Sequence, residues 1–292
     1  MKTKKQFLWM LFIILVCGFT AMTMVSCSSD DDDDSGTGGI LNTPLTLEAI
    51  SDGDIFFNNT TTDSIVYYKL NGSEPKIIPS SRTTTIKVKA GDQVEFFGDN
   101  NIYGYVRQGK LQWYSSLRSN ADCYIYGNIM SLIKSTDFAS ATTLTGKESF
   151  SYFFSGAKHF KNHPTKKFIL GATKLSERCY LCMFENSNGF TPILPATTLA
   201  EMCYEGMFEG CTGLTEAPEL PATTLAEGCY DKMFSGCKNL SKVTSLATNI
   251  SAKAIYKWLE GVSPTGTFTK AKGVEWPTGI SGIPEGWTVV EQ

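Results

Sequence analysis

The chain has 292 residues, a formal charge of −3, 19% charged and 42% hydrophobic residues, and nine cysteines. That length is ample for one large or two modest domains. The acidic balance argues against nucleic acid as a partner.

Residues 1–26 read as an export signal. Lys2, Lys4 and Lys5 form its basic start, and residues 7–16 form an apolar run too short to span a bilayer comfortably. Met24-Val25-Ser26-Cys27 looks like a lipobox, so Cys27 is the expected lipidation site and membrane lipid the expected anchor. The plainer alternative is ordinary cleavage beside an incidental cysteine. Residues 27–39 read as a tether: five aspartates, Asp30 to Asp34, then a Gly- and Ser-rich spacer. A charge run is commonly just a solvated segment. Directly after a lipidated cysteine, this one resembles the acidic signal that sends lipoproteins of the Bacteroides group to the outer face of the outer membrane. The expected location is therefore the cell surface. Cleavage removes three of the 26 basic residues and no acid, which leaves the mature chain more acidic.

Residues 40–120 have the texture of an all-β, sandwich-like domain. Runs at 45–50, 54–58, 64–70, 83–88 and 93–97 are rich in β-branched and aromatic residues. Residues 83–89 alternate, with Ile86 and Val88 on one face. Asn71-Gly72 predicts a hairpin turn toward residues 76–78. Asp99-Asn100-Asn101 is open to two readings, a calcium loop or a plain turn. Trp113-Tyr114 lies in an ambiguous stretch near the domain boundary and is the candidate binding cluster.

From 121 to 292 the sequence repeats itself. Ala196-Thr-Thr-Leu-Ala-Glu-Met-Cys-Tyr204 continues to Met207-Phe208 and Gly210-Cys211, and 26 residues later Ala222-Thr-Thr-Leu-Ala-Glu-Gly-Cys-Tyr230 continues to Met233-Phe234 and Gly236-Cys237. An earlier copy starts at Ala172 and a degraded one at Ala141. Such a period marks a solenoid of stacked units. Leu199, Cys203 and Met207 are spaced i, i+4, i+8, beside a row of Tyr204, Phe208 and Cys211. Leu225, Cys229, Met233, Phe234 and Cys237 repeat the pattern. The spacing predicts an apolar stripe on a short helix. Thr198 with Glu201, and Thr224 with Glu227, are placed as capping boxes. The recurring cysteines predict columns of small buried side chains rather than disulfides. After residue 246 the pattern decays into a cap holding Trp258, Trp276 and Trp287. The fold class expected is mixed α and β, a small N-terminal β-sandwich followed by a leucine-rich-repeat-like solenoid with short helices and short strands.

Chemistry is scarce. His159 and His163 are four apart in a lysine-rich stretch, a spacing that suits a metal on a helix, but Pro164 follows and a solvated basic patch is the simpler reading. Cys179 and Cys182 match a two-cysteine redox or zinc spacing. Yet only Cys179 sits in a repeat column, while Cys182 aligns with Gly206 and Lys232. No catalytic, cofactor or metal site is predicted, and the chain reads as a non-enzyme.

The repeated Leu-Pro-Ala-Thr-Thr-Leu-Ala-Glu and Cys-Tyr-x-x-Met-Phe-x-Gly-Cys, with residues 127–133 and the closing Gly282-Ile283-Pro284-x-Gly286-Trp287-Thr288, resemble the BspA-like leucine-rich-repeat surface lipoproteins of Bacteroides-type bacteria. The basic insertion at 155–170 departs from that pattern. The resemblance implies surface binding or adhesion to a host or bacterial protein. A glycan bound by the β domain, or by Trp113-Tyr114, is the alternative, and a structural envelope role is a third.

Overall fold

The structure, a computed structural model, describes residues 38–61, 65–107, 110–251 and 253–292. The signal, Cys27 and the acidic run lie outside them. A five-residue helix α1, Gly38–Asn42, leads into strands β1 (Leu45–Ala49), β2 (Gly53–Asn59), β3 (Val66–Leu70), β4 (Lys76–Ile77), β5 (Arg82–Val88) and β6 (Gln93–Gly98). Then come β7 (Gly104–Arg107), β8 (Lys110–Tyr114), β9 (Ser116–Ser119) and β10 (Cys123–Asn128). Asn71 and Gly72 both have positive φ, as befits the tight turn after β3 that the Ser73 N–H closes by donating to the Leu70 carbonyl. Ile86 and Val88 of β5 are buried while their neighbours face solvent.

These strands form two main sheets. β5-β2-β9 is one. The other runs through β10, β1, β6, β3 and β4, and gains the parallel strands β11 (Phe160–Asn162) and β12 (Phe168–Ile169) on β10. Phe57 of β2 meets Phe96 of β6 with ring centroids 5.7 Å apart, and Phe153 packs edge-on against Phe57 at the same distance. One buried cluster therefore runs from the strands into the repeats. A third sheet, β13 (Lys242–Ser245), β14 (Thr267–Lys270) and β15 (Thr288–Glu291), is parallel throughout.

The expected mixed α and β fold is corrected by this architecture. The structure is mostly β, with 30% strand and 5% helix, and among the described residues there is one short α-helix and no curled or repeating solenoid sheet of the leucine-rich-repeat kind. The segments read as short helices are ribbons of consecutive turns. In one copy the N–H groups of Cys179, Leu181, Met183, Glu185 and Ser187 each donate to the carbonyl three residues back. The alternate N–H groups, of Arg178, Tyr180, Cys182, Phe184 and Asn186, donate instead to Glu201, Cys203, Glu205, Met207 and Glu209 of the next copy. An α-helix would send all of them to the residue four back. Every fourth residue also has positive φ: Arg178, Cys182 and Asn186, then Met202, Gly206 and Gly210, then Gly228, Lys232 and Gly236. A right-handed helix excludes that conformation. Thr198 and Thr224 have no helix to cap and form parallel bridges with Lys174 and Asn249.

The ribbon has a period of four. Pairs such as Cys203-Tyr204 and Met207-Phe208 point inward, and the residues between them point out. Stacked copies then align like on like. Phe150, Tyr180, Tyr204, Tyr230 and Trp258 form a ladder with rings 5.7–6.1 Å apart, beside a second ladder of Phe154, Phe184, Phe208 and Phe234.

Candidate functional site

The outward columns of the ribbons build a cleft of about 320 Å³. It opens because one column, Tyr152, Cys182, Gly206, Lys232, has no side chain at its third position. Gly206 has φ of +59°, and a Cβ there would stand 2.8 Å from the Cys182 sulfur. Around the gap stand Arg178, Met202, Leu181, Glu185, Glu205 and Glu209. Arg178 turns its guanidinium onto the Met202 sulfur, at 2.9 and 3.2 Å.

The electrostatics of the cleft are unbalanced. Burial raises the Glu185 carboxyl above its ordinary value, and the neighbouring Glu209 adds to the shift. Burial raises Glu205 also; Arg178 and Lys232 oppose that shift, while Asp231 and Glu209 reinforce it. Among the described residues, no ion pair joins any of these three glutamates to Arg178 or Lys232. Burial pushes the Cys182 thiol up to about 12, a shift its hydrogen bond with Tyr152 only partly offsets. A thiol held protonated at neutral pH is a poor nucleophile.

Of the residues singled out in the sequence, Cys203, Met207, Phe208, Cys211, Cys229, Met233, Phe234 and Cys237 are fully buried, and Leu199 and Leu225 are half-buried at the margin of the same core. Trp113 and Tyr114 lie on β8. Trp113 is 37% exposed, and the Tyr114 ring stands 5.5 Å from that of Tyr152, which lines the cleft. The sequence-predicted cluster thus adjoins the cleft, whose three glutamates and Tyr152 the sequence reading had not singled out. The missed signal was Gly206, the one side-chain-free position in a column otherwise filled.

The other candidates are kept apart. Cys179 is in the core and Cys182 lines the cleft. His159 bonds to Asp122 at 3.0 Å, whereas His163 packs edge-on against Tyr124 and Tyr126. Asp99 accepts from both the backbone N–H and the hydroxyl of Ser135, and Asn100 clasps the backbone of Ile102, so this stretch is tied up as a turn. Among the described residues, no three of His, Cys, Asp or Glu gather closely enough to hold a metal ion. No protein-family model, curated protein or solved structure matches the chain.

Proposed function

We propose that this chain is a non-enzymatic lipoprotein, anchored in the outer membrane through acylated Cys27 and exposed at the cell surface, that binds a host or bacterial protein. The observation that supports the reading is the cleft. Glu185, Glu205 and Glu209 crowd like charges into partly buried positions, with no ion pair among the described residues, a cost that an incoming basic side chain offsets. At about 320 Å³ the cleft is at the lower end of the roughly 300–1,000 Å³ of small-molecule pockets, a size suited to a Lys or Arg anchor from a larger partner. The protonated Cys182 thiol is in keeping with binding rather than covalent chemistry.

The test uses the whole mature chain, because β1 and β10 join residues 40–120 and 121–292 in one sheet. Proteins retained from host mucosal extract are re-measured against a Glu205→Gln/Glu209→Gln variant. Loss of binding, with the thermal transition kept, supports the reading. Undiminished binding rejects the cleft as the site. A second reading, glycan binding, is favoured by the exposed Trp113 beside Tyr114 and Tyr152. It predicts glycan retention abolished by Trp113→Ala, with the glutamate variant unaffected.

A further inference from the structure

From Ser149 to Ser176 the chain holds no acidic residue and five lysines, in a protein that is otherwise net acidic. This is the segment that breaks the repeat. The structure lays it along β10 as β11 and β12, and its own acidic neighbours absorb only part of the charge. Asp122 takes Lys161 at 2.7 Å, and Glu48 takes Lys166 at 3.2 Å while Lys166 lies 4.3 Å over the ring of Tyr126. Lys167 is exposed and forms no ion pair among the described residues.

A second cleft, of about 210 Å³, sits at this segment. Its lining contains His163, Lys166, Lys167, the side chains of Asn162 and Thr191, and an apolar floor of Phe168, Pro192 and Ile193, with no carboxylate. Backbone N–H groups of Thr165 and Lys166 donate to His163 Nδ1 at 3.1 and 3.0 Å. That leaves the ring proton on Nε2, so the imidazole is itself a donor. Asn162 and Thr191 hold each other through two hydrogen bonds, which fixes the two walls relative to one another. The cleft therefore offers cations and neutral donors over an apolar surface.

We infer that this second cleft binds the carboxylate or sulfate group of an acidic sugar, the charge meeting Lys167 beside Lys166 and the ring lying against the exposed Ile193. Lys167, with no ion pair among the described residues, is the cation that selects an anion here, Lys166 being shared with Glu48, and charge-assisted hydrogen bonds are the strong ones. The small volume, below the roughly 300 Å³ at which drug-sized ligands are engulfed, suits the end of a longer glycan. The inference is independent of the acidic cleft, which has the opposite charge and other residues.

The experiment titrates the mature chain with three oligosaccharides of equal length, one carboxylated, one sulfated and one neutral, and with an oligoglutamate peptide. Wild-type protein should bind a charged sugar at least ten-fold more tightly than the neutral one, and whichever of the two binds identifies the anion. Lys167→Gln should lose about ten-fold, Lys167→Arg should retain binding, and Lys158→Gln, in the same segment but outside the cleft, should change nothing. Equal losses in Lys158→Gln and Lys167→Gln would overturn the site in favour of diffuse attraction. So would equal affinity for the neutral sugar, or binding confined to the peptide. Glu205→Gln/Glu209→Gln should leave this binding intact, which separates its failure from that of the acidic cleft.

Discussion

Tyr180 stacks on Tyr204 with ring centroids 5.7 Å apart and planes 9° from parallel, although the two residues are 24 positions apart in sequence. Both are fully buried, and each is a rung in a ladder that carries on to Trp258. Removing one rung leaves a void that the flanking rings, fixed by their own backbone bonds, cannot fill. Tyr204→Ala should cost about 3–5 kcal/mol in urea unfolding. Tyr256→Ala, in the same repeat region but half exposed, should cost under about 0.5 kcal/mol. Similar losses at both positions would show that the ladder is not where stability resides.

The cysteine columns divide by hydrogen bonding. Cys211 donates to the Phe184 carbonyl and Cys237 to that of Phe208, both at 3.0 Å. A serine hydroxyl can take over that bond, so Cys211→Ser should cost less than about 1 kcal/mol. In the other column the thiol–carbonyl contacts are long, 3.9 Å for Cys179 and 4.0 Å for Cys229, and Cys203 is fully buried, so Cys203→Ser should cost on the order of 1–3 kcal/mol through an ill-paired hydroxyl. Native-state thiol labelling is the companion measurement. Cys203 and Cys229 should react only on unfolding, and prompt labelling of either would contradict the burial described.

Backbone strain gives a third prediction. Lys232 is exposed and has a φ of +52°, a conformation natural to glycine. Lys232→Gly should therefore stabilise the fold by about 1 kcal/mol, against the usual effect of glycine substitution. Gly206→Ala should do the reverse, losing about 1–3 kcal/mol, because strain and the approach to the Cys182 sulfur act together. Calorimetric melting of the two variants provides the comparison.

The raised Glu205 carboxyl makes stability depend on pH with a definite sign. Between the ordinary value of 4.5 and its higher folded value, the folded chain binds more protons at this site than the unfolded chain. This contribution therefore makes stability fall as pH rises through that window. Glu205→Gln removes it. The variant should be more stable than the parent at neutral pH, and the difference should vanish well below 4.5. A constant difference at all pH values would show that Glu205 does not act through its charge.

The repeat, its columns and the outlying position of Cys182 were legible in the sequence, because identical residues at a fixed period report stacking directly. The local conformation was not. Leu199, Cys203 and Met207 at i, i+4, i+8 fit a helix closely enough, since residues eight apart on an α-helix diverge by only roughly 80°. A period of four fits them better, and the recurrence of Gly206 and Gly210, and of Gly228 and Gly236, at multiples of four was the sign of left-handed positions. The strand at 45–49 was readable from its residue types and that at 82–88 from alternation, whereas β11 and β12 were hidden in a basic insertion with no alternating pattern. The acidic cleft was hidden for another reason. Glu185, Glu205 and Glu209 come from two copies of the repeat and converge only after stacking.

The alternation of bonds along each ribbon, half to its own turns and half to the next copy, has a bearing on how such a chain changes length. A deletion of a few residues would break the correspondence between neighbours and strand donors on one side and acceptors on the other. Excision of a whole copy, by contrast, brings together two edges that already match, as Cys182 matched to Glu205 and Gly206 matched to Asp231 illustrate. Length is thus quantised within the ribbons, where loss or duplication of a complete unit keeps the bonding intact, whereas the connections between ribbons absorb small changes, successive copies starting 24 and then 26 residues apart.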